Sequence, residues 1–201
     1  IATILGFSSG ALPTAFTGQM PHVHGRFLMY RRAAGPGVFA GFERLGWLPA
    51  RIRRSWRLTR LLTRLVEQRG VRGYFNLYEV PRSRLASFDL PERDDIFRPG
   101  GLPVDSIWDS LERRGLAWQG WNWRTPEREA FEALLSKVNE GVEDVLFLYT
   151  AELDARLHHE GSAGASVEAG LERYDEWLRE LESAAARLGR PLRSEEHTSE
   201  L

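Results

Sequence analysis

Apolar positions along the chain follow three patterns, and each predicts a different kind of element. Residues 1–7, IATILGF, are apolar and β-branched without interruption, the pattern of a buried strand. Ser8, Ser9 and Gly10 break that run, and ALPTAFTG then predicts a short helix ending at Gly18. Glycines and a proline between residues 31 and 46 read as loop. A cationic amphipathic helix is predicted over residues 51–69, opening on Arg51 and closing on Arg69. Arg53, Arg57, Arg60 and Arg64 share one face, and Ile52, Trp56, Leu62 and Val66 lie on another. Residues 81–101 carry Pro81, Pro91 and Pro99 and read as turns. Residues 107–114 form a short helix capped by Asp105 or Ser106.

The second half alternates more regularly. LAWQGWNW, residues 116–123, reads as a strand. Thr125 and Pro126 supply an N-cap and a first-turn proline for a helix that Gly141 closes. VLFLYT, residues 145–150, has the continuous apolar character of a buried strand. A last helix over residues 167–188 sets Leu171, Tyr174, Leu178, Leu181, Ala185 and Leu188 at steps of three and four. Strand–helix alternation of this kind predicts an α/β fold with a mainly parallel sheet.

Composition narrows the function classes. The 201 residues are 42% hydrophobic and 27% charged, enough for a sizeable core, with a formal net charge of −1. No apolar run approaches the ~18 residues that span a bilayer, so a cytoplasmic or membrane-peripheral location is expected. The near-neutral balance argues against wholesale nucleic-acid binding. With no cysteine, disulfides, thiolate zinc sites and cysteine nucleophiles are excluded. A single lysine against 26 arginines reads as codon usage of a GC-rich genome. The final nine residues, RSEEHTSEL from Arg193 to Leu201, back-translate in frame to the start of a short-read sequencing adapter. They are therefore set apart from the domain at residues 1–192.

Candidate chemistry sits at two places. Ser8 and Ser9 follow an apolar strand and precede a helix, where backbone N–H groups and the positive helix end stabilise an anion. A serine there is placed either to attack phosphate or simply to cap the helix. Asp154 lies four residues before His158, just after VLFLYT, so both face one side of a helical turn and can bind a borderline cation such as zinc. The alternative is a solvated turn. His22 and His24 form a second histidine pair, followed by His159 beside His158.

The two segments together resemble the alkaline phosphatase superfamily, nearest its nucleotide pyrophosphatase/phosphodiesterase-like branch. LGFSSGALPTAFTGQMPHVHG, residues 5–25, is similar to the branch's nucleophile segment, with Thr17–Gly18 closing the helix and Pro21, His24 and Gly25 matching P-x-x-H-G. LYTAELDARLHHEG, residues 148–161, is similar to the metal motif D-x-x-G-H-x-x-G through Asp154, His158 and Gly161, with Leu157 in place of the usual glycine. The resemblance implies part of an α/β/α sandwich around a mostly parallel sheet, with residues 27–101 as an irregular insertion near the site. It implies a hydrolase of phosphate esters, of diester or pyrophosphate type, that uses two divalent metal ions, usually zinc. Ser8 falls at the nucleophile position, with Ser9 one residue away, and Ser8 would also contact one metal. Asp154 and His158 would be metal ligands, and His24 a structural residue of its motif. A small phosphate ester is the implied substrate. The superfamily's other metal ligands have no counterpart here, so the resemblance implies a piece of a hydrolase without turnover of its own.

Three features qualify that picture. Ala11 stands where nucleotide pyrophosphatases carry an asparagine, and no C-x-P-x-R or S-x-P-x-R surrounds Ser8, which excludes a formylglycine sulfatase. A phosphomonoesterase or phosphotransferase of the same superfamily fits the same motifs. The arginine helix at residues 51–69 could lie on an anionic membrane, serve a non-catalytic module that binds membrane or nucleic acid, or simply be a solvated face over a packed stripe. Trp118, Trp121 and Trp123 could stack on a ligand or pack at a sheet edge.

Overall fold

The computed structural model describes residues 8–53, 55–75, 77 and 81–193. The strand expected at residues 1–7 and nearly all of the terminal nonapeptide lie outside them. The described residues are mixed helix and strand, 52% helical and 7% strand. It divides into two compact units, Ile1–Asp109 and Ser110–Leu201. Among the described residues no helix is long and apolar enough to cross a membrane.

In the first unit, helices α1 (Ser8–Thr17) and α2 (Pro21–His24) come first. Each ends on a left-handed glycine, Gly18 at φ 65° and Gly25 at φ 71°. Gly18 N–H returns to Thr14 O at 2.9 Å, and Gly25 N–H to Pro21 O at 2.8 Å. A side chain at φ > 0 would be strained, so these glycines set where the helices stop. Strand β1 (Arg31–Arg32) pairs antiparallel with β2 (Phe88–Asp89). Between them run a 3-10 segment, Phe42–Trp47, helices α3 (Ala50–Arg53) and α4 (Trp56–Gln68), and a second 3-10 segment, Arg82–Ser87.

One hydrophobic cluster of this unit is Val38, Phe39, Phe42, Leu62, Val66, Val71, Leu77, Leu85 and Leu90, and Phe16 packs separately on buried Phe97 and Trp108. All nine residues of the cluster come from the stretch expected to be an irregular insertion. Asp89 ties the β1–β2 corner to this cluster. It accepts bonds from Val38 N–H at 3.2 Å, Arg31 at 3.1 Å and Arg93 at 2.7 Å. Burial alone would raise its pKa, but the Val38 N–H and the two guanidiniums outweigh that and hold it below the usual carboxylate value. Helix α5 (Ile107–Arg113) opens with a capping box. Ser106 Oγ accepts from Asp109 N–H at 3.4 Å, while Asp109 Oδ2 accepts from Ser106 N–H at 2.8 Å. Ser106, rather than Asp105, is therefore the cap.

The single helix expected over residues 51–69 is two helices. Ser55 is extended (φ −67°, ψ 132°) and interrupts it. Leu62 and Val66 are buried, with Leu58 and Leu65 packed beside them, as an amphipathic stripe requires. Ile52 and Trp56 do not join them and are exposed. Trp56 stands roughly 80–120° around the helix from Leu62 and Val66, too far to reach the same core.

In the second unit, strands β3 (Trp118–Trp121) and β4 (Val145–Leu148) pair in parallel, Trp118 opposite Val145 and Trp121 opposite Leu148. Helix α6 (Glu127–Glu140) connects them in a βαβ crossover. Pro126 occupies the N-cap position with extended backbone, one residue after the expected Thr125, and Gly141 closes the helix at φ 69°. Helices α7 (Glu152–Glu160) and α8 (Ala165–Arg187) follow. Trp121, Ala130, Phe131, Leu134 and Leu181 form the core, with Phe131 and Trp177 stacked at 4.6 Å and 12°.

Two expectations need correction here. All four β4 positions are half-buried rather than buried, since among the described residues its sheet has only two strands. The inward stripe of α8 runs through Val167, Gly170, Tyr174, Trp177, Leu181, Ala184 and Ala185, while Leu171, Leu178 and Leu188 are exposed. Tyr174, Leu181 and Ala185 are inward as expected, and the face as a whole is turned by roughly 40° towards Trp177. Stacking of Trp177 on Phe131 fixes the rotation. Trp121 is a core residue. Trp123 is exposed, with the Arg124 guanidinium 4.8 Å above its ring.

Candidate functional site

Ser8 and Ser9 form the first turn of α1 instead of a loop before it. Helix α1 continues through Pro13, which has no N–H to donate to the Ser9 carbonyl four residues before it. Ser8 is half-buried. The Ser9 hydroxyl oxygen is fully buried and has no hydrogen-bond partner among the described residues. The two serines are thus at the positive end of a ten-residue helix, where an anion is favoured.

The helix is held from its far side by His24, which is completely buried. Its Nδ1 accepts from Arg26 N–H at 3.2 Å. The ring proton is therefore on Nε2, which donates to Thr14 Oγ1 at 3.0 Å, and Thr14 in turn donates to Gly10 O at 3.0 Å. Burial, with Arg26 and His22 adding repulsion, holds the His24 pKa below 6.5 and keeps the ring neutral. Both ring nitrogens are committed, so neither offers a lone pair to a metal. His24 is a rivet between α1 and α2. His22 is exposed.

Asp154 and His158 come together on α7. Asp154 Oδ1 and His158 Nε2 are 3.5 Å apart, one helical turn separating them, and each is about half exposed. The helix follows β4 directly, at the carboxyl end of the parallel pair. It is seated on α8 at Gly170, where an added Cβ would lie 3.3 Å from Leu153 and 3.4 Å from Arg156. One carboxylate and one imidazole suit a borderline cation. Among the described residues no third histidine or carboxylate joins them to complete a metal-binding group. The serines belong to the first unit and the Asp–His pair to the second.

Sequence reasoning passed over Glu127 and Tyr174. Glu127, in the first turn of α6, is buried, and the Tyr174 hydroxyl donates to its Oε1. Its Oε2 has no partner among the described residues. Burial raises its pKa, and Glu152 adds to the rise against the opposing Tyr174 bond, Arg173 and Arg156. Burial and the same bond push the Tyr174 phenol upward as well. A carboxyl kept towards its neutral form can donate a proton. In the sequence, Glu127 reads as an ordinary acidic first-turn residue and Tyr174 as one member of an apolar stripe. Only their tertiary meeting marks them.

Comparison with protein-family models, with curated proteins and with solved structures returned no match.

Proposed function

We propose that the chain is part of a metal-dependent phosphoric ester hydrolase of phosphodiesterase or pyrophosphatase type, built on an alkaline-phosphatase-like α/β/α sandwich. The observation that carries this reading is the Asp154–His158 pair, 3.5 Å apart and open to solvent on the helix that leaves a parallel strand. Ligands gather at that end of parallel α/β sheets. The position of Ser8 in the first turn of α1 adds to it. In this reading the Ser8 hydroxyl attacks phosphorus and the bond to the leaving alkoxide breaks. The serine proton leaves with the alcohol, and water then hydrolyses the phosphoserine. Asp154 and His158 would hold one ion, which supplies Lewis-acid charge stabilisation and acidifies bound water. Ser9 is the alternative nucleophile, and its buried hydroxyl is the less accessible of the two.

The test has two parts. Zinc titration of the 201-residue chain, followed calorimetrically, is expected to show one weak site that Asp154→Ala and His158→Ala each weaken at least tenfold. In the protein read in frame from the source DNA past codon 192, zinc-dependent hydrolysis of bis(4-nitrophenyl) phosphate is expected to vanish in Ser8→Ala. Zinc affinity indifferent to both ligand variants, or full turnover in Ser8→Ala and Ser9→Ala alike, overturns the reading. Turnover of 4-nitrophenyl phosphate alone replaces the diesterase with a phosphomonoesterase.

A further inference from the structure

The most strongly charged stretch of the chain is in the first unit. Residues 51–69 hold seven arginines and one glutamate, a local charge of +6 in a chain whose total is −1. Arg57, Arg60 and Arg64 fall within roughly 60° of one another on α4. All three are exposed, and none is in an ion pair among the described residues. Trp56 and Leu61 border them on α4, 65% and 53% exposed, and Trp47 and Ile52, which precede the helix in the chain, are exposed as well. The opposite face of α4 is fixed in the core by Leu62 and Val66, so it cannot roll to hide these residues.

We infer that this face docks on an anionic phospholipid surface. Two observations favour lipid over a polyanion alone. A stripe of arginines explains attraction to any anion, but exposed Trp47, Ile52, Trp56 and Leu61 gain only where there is apolar material to enter. Indole rings also prefer the headgroup boundary, where the ring is half-solvated. Trp56 and Leu61 flank the arginine stripe on either side, so the charges meet headgroups while the apolar residues enter the acyl boundary. The Arg57 guanidinium, 5.8 Å from the Trp56 ring centroid, keeps the cation beside the indole.

Co-sedimentation of the full chain with vesicles tests the inference. Binding is expected to vesicles of phosphatidylcholine mixed with phosphatidylserine, weakly or not at all to pure phosphatidylcholine, and to fall as salt is raised. Each arginine near an anionic surface is worth about a fivefold change in partition, so R57Q/R60Q/R64Q is expected to lose on the order of a hundredfold. Trp56→Ser, which leaves all charges in place, is expected to lose binding as well and guards against misfolding of the triple variant. Equal binding to both vesicle types, or insensitivity to the triple variant, overturns the inference. So does unchanged binding of Trp56→Ser, or a single-stranded oligonucleotide that binds tighter than the vesicles and displaces them.

Discussion

Thr14→Val tests the His24 link with almost no change in shape. The hydroxyl of Thr14 is the acceptor for the His24 Nε2–H, in a place where both residues are buried. Valine removes the acceptor and leaves a buried donor unpaired, a loss of about 1–3 kcal/mol. The imidazole cannot recover by moving its proton, since Nδ1 is already engaged by Arg26 N–H. At ~2 kcal/mol, local opening of the α1–α2 corner becomes about 30-fold more frequent. Native-state hydrogen exchange at the Gly18 and Gly25 amides reads that opening directly, because both amides close helices at this corner. Thr14→Ser keeps the hydroxyl and loses one methyl, a smaller cost of ~0.8 kcal/mol. The wild type carries a pH signature too. Its folded His24 has a pKa below the unfolded 6.5, so the contribution is complete above 6.5 and is lost as pH falls below it towards the folded value. Protection that drops no further in Thr14→Val than in Thr14→Ser, or that rises on acidification, would refute the assigned tautomer.

Two further changes probe the second unit. Glu127→Gln removes a carboxyl whose folded pKa lies above 4.5, so the wild type's advantage is present below 4.5 and lost as pH rises. The variant is expected to match the wild type in acid and to be the more stable protein at pH 8 by thermal unfolding, and parallel pH profiles would sink the idea. Phe131→Ala removes a buried ring stacked on Trp177 and is expected to cost about 3–5 kcal/mol. Near-UV circular dichroism and urea unfolding measure it, and a loss under ~1 kcal/mol would show that the stack does not fix α8.

Much of the fold was legible where one residue decides locally. Gly18, Gly141 and the Ser106 cap act through their own backbone or the next turn, and the helices they bound are where their residues predict. The parallel pairing of β3 with β4 was legible because a helix of α6's length between two strands leaves few alternatives. What the sequence did not carry was rotation and exposure. Leu171 and Trp177 have equal claims to an inward position by spacing, and only Phe131, 46 residues before Trp177, decides between them. Trp56 is as apolar as Leu62, yet the extended backbone at Ser55 and the position of the core leave it outside. For the candidate site, spacing was enough to bring Asp154 to His158, since a helix brings residues four apart together by itself. Glu127 and Tyr174 are 47 residues apart and could not be paired that way.

The βαβ crossover also sets an order of events during synthesis. Trp118 and Trp121 leave the ribosome well before either of their partners exists. Pairing needs Val145–Leu148, and cover for the Trp121 core needs α8. From Trp121 to Trp177 there are 56 residues, which take about 3–11 s to polymerise at 5–20 residues per second. In that interval α6 can coil, since its contacts are local, but the edge of the tryptophan-rich strand stays unpaired until β4 emerges and its face stays uncovered until α8 does. The nascent chain is therefore most exposed to chaperone capture or to self-association between the emergence of β3 and that of α8, and translational pausing within that window would lengthen the exposure.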